Sequence, residues 1–405
     1  MDTTPPAPVS TRPSPRRRAP QTWPRARAAA RELAAARPRG AVTEVALGEA
    51  LGSTLAVDLV ARVAVPSLDT AAMDGYAVAG SGPWRVLGRL LAGAEPRDAA
   101  LSCGQAVEIA TGAPVPAGTL AVLAHEEAER NAHTVSGRVR PGRHIRRRGE
   151  TTPLGSVAAP AGSPVTPALL ALAAGLGHDT LRVRRPTVHA LVTGDEVRLH
   201  GTPAPGQVRD AIGPMLPGTV SWAGGVLTAI THVGDDPAEL TAALERAVGE
   251  ADIVAVCGAS SAGPADHLRA VLGGFGAGFV VDGVACRPGH PQLLAALPEG
   301  PLVVGLPGNP GAALVAALTL LVPVIAGLAG RPDPAPTGRR VRLAGDVRPH
   351  PVDTRLIGVR LCGEGALAVE HVGPADLRGV AVADAIAVVP PQGSGDLAEL
   401  LRLPR

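Results

Sequence analysis

The sequence predicts an α/β multidomain protein, and three observations lead to that prediction. The chain has 405 residues, more than one ordinary hydrophobic core accommodates, so about two to four domains are expected. From residue 186 onward, apolar strands alternate with helical stretches, which is typical of a parallel sheet covered by helices. Between about residues 66 and 140, short strands are separated by Gly and Pro, which indicates a β-rich module.

The N-terminal region is expected to begin with a tail and two helices. Residues 1–21 are rich in Pro and Arg and poor in large apolar side chains, so we expect a disordered tail. The segment Trp23–Ala36 consists of strong helix formers and ends before Pro38, which predicts one helix. A second helix is predicted over Leu47–Asp58.

The predicted domains follow from these changes of pattern. A helical and extended N-terminal domain comprises 22–65 and 141–185, and 66–140 is a β-rich domain inserted into it. An α/β domain spans 186–330, and 336–405 forms a C-terminal β-module after a Pro-rich linker. In the α/β domain we predict strands over Val188–Val192, Leu227–His232, Ile253–Val256 and Leu302–Val304, and helices over Pro214–Ala223, Pro237–Ala247, Ala265–Leu272 and Gly311–Leu328.

The composition excludes several classes of function. The chain contains no lysine, so its 38 basic residues are all arginine and no lysine chemistry is available. Three Trp, one Tyr and two Phe are too few for the stacking surfaces of single-stranded nucleic acid binders, and we expect no nucleic-acid partner. We find no signal peptide and no uninterrupted apolar run of about 18 residues, so no membrane association and a cytoplasmic location are expected.

The four cysteines are far apart and form no C-x-x-C pair. At least two of them lie in apolar, strand-like runs. Buried, reduced thiols are therefore favoured over metal ligands.

The segment Gly305-Leu306-Pro307-Gly308-Asn309-Pro310 is the most informative turn of the chain, because it lies between two apolar runs. Asn309 suits the N-cap of a helix, and Pro310 suits its first position, where the missing N–H has no intrahelical partner. Several backbone N–H groups then point at one place, which predicts an anion site formed by Pro307, Gly308, Asn309 and Pro310. An ordinary strand-to-helix connection is the alternative.

Two further loops follow predicted strands of the same domain. Thr193-Gly194-Asp195-Glu196 brings two adjacent carboxylates to a strand end, where oxygen ligands suit Mg²⁺ held together with a phosphate. The alternative is that Asp195 or Glu196 begins a helix. The segment 257–263 contains Gly258, Ser260, Ser261 and Gly263, small residues that let the backbone approach a ligand. We expect all three loops to converge on one crevice.

Eight blocks of the sequence, in order, resemble the molybdopterin molybdotransferases, the MoeA family that also includes the insertase part of gephyrin. The likeness extends from residue 23 to about 330. The blocks are Ala71–Val78, Ala110–Gly118, Gly142–Glu150, Thr193–Glu196, Gly206–Asp210, Gly258–Asp266, Arg287–Pro291 and Gly305–Pro310.

The resemblance implies a homodimer whose third domain binds molybdopterin. It implies a transferase that inserts molybdate into adenylylated molybdopterin and releases AMP, with Mg²⁺ as the metal. Charge neutralisation and positioning are then sufficient, without a protein nucleophile. By motif match the catalytic positions are Asp74, Thr111, Glu196, Asp266 and Arg287; the metal ligands are Asp195, Glu196 and Asp266; and Thr193, Gly194, Asp195, Gly258, Ser260, Ser261, Gly263, His290 and the turn 307–310 bind the cofactor.

The chain also departs from the family pattern. Thr151 and Pro264 stand where carboxylates are usual, and Ile212 where an Asn is usual. Arg287 and His290 replace two lysines, and the arginine keeps the charge and offers a planar fork for phosphate or molybdate. These differences bear on turnover rather than on the fold.

Three other interpretations remain open from the residues alone. A molybdopterin-binding relative would keep the fold and store, transfer or modify the cofactor without efficient insertion. A serine hydrolase would use Ser261 in Ala259-x-Ser261-x-Gly263, with His267 or His290 as base, but no oxyanion motif accompanies it. A non-enzymatic scaffold would depend on the Arg-rich tail. Locally, Asp74-Gly75 also suits a hairpin turn, and Thr111-Gly112 an ordinary strand end.

Overall fold

A computed structural model describes residues 19–37, 39–96, 98–258, 267–298, 300–345, 347–369, 373–392 and 396–404. The predicted tail lies outside these residues except for its last three. Of those three, Gln21 belongs to a short strand that pairs with Val284.

A six-stranded sheet forms the centre of the α/β unit. Its strands are β1 Thr187–Thr193, β2 Val226–Val233, β3 Ile253–Cys257, β4 Gly278–Asp282, β5 Leu293–Ala296 and β6 Leu302–Leu306. The order across the sheet is β2-β1-β3-β6-β5-β4. All four predicted strands are confirmed, and each is longer than predicted by one or two residues.

The expectation of a wholly parallel sheet is wrong at one edge. β2, β1, β3 and β6 are parallel, whereas β5 runs antiparallel to β6 and to β4. The physical reason is the short connection between β5 and β6, residues 297–301. A crossover between parallel strands needs about a dozen residues. A connection as short as this one can only join two antiparallel neighbours.

Helices cover both faces of this sheet. They are Leu216–Ala223, which a 3₁₀ turn Gly213–Met215 precedes, Pro237–Val248, Leu268–Gly274 and Pro310–Ala329. Side chains of β3 alternate between the two apolar clusters: Ile253 and Ala255 face one, and Val254 and Val256 face the other. Both faces of the sheet are therefore buried, which is why its central strands consist of apolar runs without polar alternation.

The helix Pro310–Ala329 has the length and apolar composition of a membrane span, but 89% of its most apolar window is buried inside the protein. It is thus a core helix. Its segment Ala317–Leu321 is π-helical and lies just before Pro323. A proline cannot donate to the helical ladder, so a change of hydrogen-bond register at this point is expected.

The N-terminal helix Trp23–Ala36 occurs as predicted and packs against this core helix. The indole Nε1 of Trp23 donates to Thr319 Oγ1 at 2.9 Å. Arg27 donates to the carbonyl oxygens of Leu318 and Ala335 and to Asp333 Oδ2, the last at 2.6 Å. The predicted N-terminal domain, 22–65 and 141–185, includes this helix. In the structure, the buried face of the helix belongs to the core of the α/β unit.

A small β unit follows the N-terminal helix in the chain and precedes the α/β unit. It contains the sheet of Val42–Ala46, Thr180–Arg184 and Thr54–Leu55, the pair Leu59–Val60 with Val157–Ala159, and the helix Pro167–Gly175. The predicted helix Leu47–Asp58 is wrong, since only Leu47–Glu49 forms a 3₁₀ turn. Gly52 has a φ of +79°, a conformation outside the right-handed helix, and the chain then enters a strand.

The predicted β-rich insert contains a six-stranded sheet. In spatial order its strands are Glu129–Asn131, Thr134–Ser136, Trp84–Leu90, Gln105–Ile109, Gly75–Val78 and Ala121–Ala124. A separate pair, Thr70–Ala71 with Ile145–Arg146, lies where the insert joins the chain. Because Asp74 directly precedes Gly75–Val78 and no hairpin turn forms there, the hairpin interpretation of Asp74-Gly75 is wrong.

The C-terminal strands form a closed ring. Thr354–Cys362, Gly365–Ala368, Arg340–Ala344, Leu397–Arg402 and Ala385–Val389 pair in this order, and the last pairs again with the first. A short helix, Arg378–Ala381, packs on it. The strand Val284–Arg287 adds to this sheet in parallel, with Cys286 opposite Thr354. The predicted strands Arg340–Leu343 and Ala385–Val389 are confirmed.

Arg27 provides a test of how the N-terminal helix is held. The side chain is 3% exposed and its ion-pair partner Asp333 9%, and burial lowers the pKa of Arg27 while Asp333 opposes that shift. Arg27→Met leaves the buried Asp333 carboxylate without its ion-pair partner at 2.6 Å, so we expect a loss of about 3–5 kcal/mol in the free energy of unfolding in urea.

Arg31→Ala is the matched control, because Arg31 lies on the same helix, is half exposed and reaches Asp333 only at 4.0 Å. Its loss should be about 0–1 kcal/mol. The double variant Arg27→Met/Asp333→Leu removes both charges and should recover most of the stability. Equal losses for Arg27→Met and Arg31→Ala would show that the buried pair does not hold the helix.

Candidate functional site

A crevice of about 580 Å³ opens at the carboxyl ends of β1, β3 and β6. Parts of four segments line it, 192–197, 208–212, 257–258 and 308–310, together with Asp235 and Ala375. The three loops predicted to converge therefore do so in their described parts. Ligands of open α/β sheets bind at this edge.

The floor of the crevice is built by strand pairing and by two glycines. Gly258 N donates to Leu306 O at 3.0 Å, and Thr193 Oγ1 donates to Cys257 O at 3.1 Å. Gly194 and Gly258 have φ values of +128° and +110°, which favour glycine. A Cβ on Gly258 would also lie 2.7 Å from Thr193 Oγ1, so only a bare backbone fits here.

A two-stranded ribbon covers one side of the crevice. Val197–Arg198 pairs in parallel with Val208–Arg209. Val208 N donates to Glu196 O at 2.9 Å, which ties the ribbon to the loop after β1. A strand, rather than a helix, follows Asp195 and Glu196, so the alternative that these residues begin a helix is wrong.

Three carboxylates line the crevice: Glu196, Asp210 and Asp235. Asp210 is buried, and its Oδ1 accepts the N–H groups of Ile212 at 2.9 Å and Gly213 at 3.0 Å. Glu196 is exposed, and its carboxylate has no hydrogen bond to any described residue. It is thus free to bind a ligand or a metal ion.

Asp195, predicted as a metal ligand and cofactor contact, does not line the crevice. Its Oδ1 accepts the N–H of Asp235, and Asp235 Oδ2 accepts the N–H of Asp195, each at 3.3 Å. This reciprocal pair links the loop after β1 to the loop after β2. Asp235, and not Asp195, is therefore the carboxylate that lines the crevice at this point.

The described donors fit Mg²⁺ only in part. Within the described ranges no group of three His, Cys, Asp or Glu side chains is close enough to hold a metal ion. Mg²⁺ commonly binds one or two carboxylates together with substrate phosphate and keeps several waters. Glu196 and Asp235 can supply such a site, whereas a cage made of protein ligands alone is not formed by these residues.

The turn after β6 has the predicted local structure. Asn309 is at the N-cap position and Pro310 begins the helix, and the Asn309 side chain makes no capping hydrogen bond. Gly308, Asn309 and Pro310 line the crevice, whereas Pro307 is buried behind it.

Four predicted site residues lie outside the described part of the chain: Ser260, Ser261, Gly263 and Asp266. The same holds for the serine-hydrolase motif 259–263. Their predicted roles remain predictions.

Asp74 and Thr111 meet in the β-rich insert. Thr111 donates from its backbone N at 2.7 Å and from its Oγ1 at 2.8 Å to the same oxygen, Asp74 Oδ1. These two hydrogen bonds hold the pKa of Asp74 below its usual range. Both residues are exposed, and neither lines the crevice of its own chain. The carboxylate is therefore ionised and oriented, although it does not take part in the crevice of its own chain.

Arg287 and His290 also do not line the crevice. Arg287 is 64% exposed and its Nε donates to Asp353 Oδ2 at 2.7 Å. His290 contributes its carbonyl oxygen to hydrogen bonds from Val284 N and Gln292 N. Their predicted role in anion binding remains a prediction. One donor of Arg287, its Nε, is used in the hydrogen bond to Asp353.

Sequence reasoning missed Asp235, and it did not count Asp210 as a site residue although the block Gly206–Asp210 was identified. A signal for Asp235 was present, because Gly234-Asp235-Asp236 follows β2 directly. A carboxylate at the carboxyl end of a parallel strand belongs to the edge where ligands bind.

The expectation of buried, free thiols is confirmed for Cys257 and Cys286, whereas Cys103 and Cys362 are free but exposed, so for these two the expected burial is wrong. Burial raises the pKa of the Cys286 thiol to about 12 and that of Cys257 further. Cys257 lines the crevice but stays protonated at neutral pH, so it acts there as an apolar wall.

Comparison with known families gives two matches along the chain. A profile of the MoeA N-terminal region (domain I and II) matches residues 23–177. A second profile, described as a "Probable molybdopterin binding domain", matches residues 189–327, which contain nearly all of the crevice.

Individual relatives agree with these matches. Molybdopterin molybdenumtransferase 2 of Mycobacterium tuberculosis is 36% identical over 285 residues, covering 65% of this chain and 70% of the relative. The molybdopterin molybdenumtransferase of Synechococcus elongatus is 36% identical over 286 residues, covering 66% and 71%. The crystal structure of a molybdopterin biosynthesis MoeA protein from Pyrococcus horikosii superposes with a TM-score of 0.76 at 27% identity, covering 95% of this chain and 99% of that one.

The Asp74–Thr111 contact can be tested by titration. Thr111→Val removes the Oγ1 donor and keeps the backbone donor, so we expect the pKa of Asp74 to rise relative to the unaltered protein. The measurement is an NMR titration of the Asp74 carboxyl carbon. Thr111→Ser keeps the hydroxyl and should leave the titration unchanged. An unaltered Asp74 pKa in Thr111→Val would mean that the hydroxyl does not stabilise the carboxylate.

Proposed function

The chain belongs to the MoeA family of molybdopterin molybdenumtransferases, and we propose that it inserts molybdate into adenylylated molybdopterin and releases AMP in molybdenum cofactor biosynthesis. The observation that carries this proposal is the crevice at the ends of β1, β3 and β6. Its backbone floor lets a flat ring approach closely, and its wall carries Glu196 free for a ligand. The names of the relatives support the transferase over a relative that only stores or transfers the cofactor.

We propose that Glu196 and Asp235 hold Mg²⁺ together with substrate phosphate, and that Asp266 joins them. When bound, the metal would neutralise phosphate charge and polarise the bond to the leaving AMP. Thr193, Gly194, Gly258 and the turn 308–310 would contact the cofactor through their backbone groups. We propose that the same crevice is also lined by the small residues Ser260, Ser261 and Gly263.

The carboxylate of Glu196 gives the most direct test. Glu196→Gln keeps the size of the side chain and removes its charge, so molybdate- and Mg²⁺-dependent AMP release should fall by about 100-fold or more. Molybdopterin should still bind, because the floor is unchanged. Both quantities are measurable on purified protein, AMP by chromatography and binding by fluorescence.

Glu245→Gln is the matched control, since Glu245 is an exposed glutamate of the same α/β unit that does not line the crevice. It should retain full activity. Full AMP release by Glu196→Gln would remove this carboxylate from the mechanism, and absence of AMP release from the unaltered protein would refute the proposed function.

We further propose a cytoplasmic homodimer in which two chains share each site. Asp74 and Thr111 do not line the crevice of their own chain, so they reach a crevice only if a second copy presents them. Exposed apolar surface suited to subunit contact is available at Val60 and Val157, which are paired on neighbouring strands and are 38% and 57% exposed. Arg287 would contribute a cationic group at the edge of the shared site, and His290 an imidazole ring.

Mixing two inactive variants tests the sharing. Asp74→Ala chains retain an intact crevice, and Glu196→Gln chains retain an intact insert. Each mixed dimer should contain one intact site and one doubly altered site, so a randomised equal mixture should recover about a quarter of the normal activity. The measurement is AMP release after co-refolding, with mixed dimers quantified by two affinity tags.

Each variant refolded alone is the control and should stay inactive. If mixed dimers form and remain inactive, Asp74 and Glu196 serve the same chain and the shared-site proposal is wrong.

A further inference from the structure

The ribbon over the crevice presents one arginine to it. Arg198 and Arg209 are paired neighbours on the two strands, and both are exposed. Only Arg209 lines the crevice, and among the described lining residues it is the sole cation. The guanidinium of Arg198 is used elsewhere, since its Nη1 donates to the carbonyl oxygens of Asp195 and Val197.

The charges of the crevice show why this arginine matters. Glu196, Asp210 and Asp235 place negative charge around the space, and an anionic ligand entering it meets repulsion unless a positive group compensates. Asp210 is already occupied by the N–H groups of residues 212 and 213. Among the described lining side chains, the guanidinium of Arg209 is therefore the one that can compensate the charge of an anion.

Apart from the backbone N–H groups of the turn 308–310, the floor offers no position for the charged end of a ligand. Val192, Cys257, Gly258 and Gly308 present only apolar or backbone surface, and burial keeps the Cys257 thiol neutral by raising its pKa. Among contacts with the described residues, only one of the Arg209 donors is engaged, with Nη1 donating to Arg198 O at 3.2 Å. The rest of its planar fork is available for two parallel hydrogen bonds to phosphate oxygens.

We infer that Arg209, on the ribbon, binds the phosphate of the nucleotide-bearing ligand, while the uncharged floor of the crevice receives a flat ring of the same ligand. This inference rests on the proposed function, because it assigns the phosphate end of the same ligand to one wall. The ribbon then acts as the phosphate-binding wall of the crevice, and Arg209 as its specificity-determining residue.

The test compares the binding of two probes by calorimetry. AMP carries the phosphate and adenosine lacks it. Arg209→Ala should weaken AMP binding by about 10- to 100-fold and leave adenosine binding unchanged, and the salt dependence of AMP binding should decrease. Arg209→Lys keeps the charge without the fork and should give an intermediate affinity.

Arg198→Ala is the matched control on the same ribbon and should bind AMP as the unaltered protein does. Thermal denaturation monitors the fold, and Arg209→Lys provides the test should Arg209→Ala fail to fold. Equal AMP affinity in Arg209→Ala and the unaltered protein, equal losses in Arg198→Ala, or no AMP binding by the unaltered protein would overturn the inference. AMP release from adenylylated molybdopterin by the unaltered protein would still stand in each case, so the two proposals fail separately.

Discussion

The register of the parallel strands is the constraint on which the site depends. Val192 lies opposite Cys257, and Cys257 lies opposite Leu306, so the chains leave β1, β3 and β6 at the same level. Parallel pairing fixes this level because a shift by one residue would turn every buried side chain to the other face. The apolar clusters on both faces of the sheet therefore set the geometry of loops that contain few apolar residues themselves.

The sequence was sufficient for the helices of the α/β unit and for four of its six strands, because apolar runs and glycine or proline boundaries are local signals, whereas β4 and β5 were not predicted. It was insufficient where geometry is set by partners distant in the chain. Nothing local shows that β5 returns antiparallel, that Leu47–Asp58 yields to strand pairing, or that the N-terminal helix packs against Pro310–Ala329. At the site, the loops after β1, β3 and β6 were predicted from strand ends, whereas Asp235 was missed because the end of β2 was not considered.

Electrostatically, the protein separates two kinds of carboxylate. Asp74 is fixed as an anion by two hydrogen bonds from one residue, so its charge is oriented before any ligand arrives. Glu196 is unbonded among the described residues, and it is available to a metal ion or to a ligand donor. Because the Asp74 carboxylate is already oriented, binding to it costs less conformational entropy. The Glu196 side chain can instead adjust its position as the bound ligand changes during the reaction.

The strand Val284–Arg287 has a consequence for how the chain matures. It leaves the α/β unit and becomes part of the C-terminal sheet, where Val284 and Cys286 are fully buried. While the ribosome has yet to deliver the strand Thr354–Cys362, this apolar segment presents an unpaired edge, the kind of surface that recruits foreign strands. The C-terminal strands thus complete the burial of an apolar segment that belongs to the part of the chain synthesised before them.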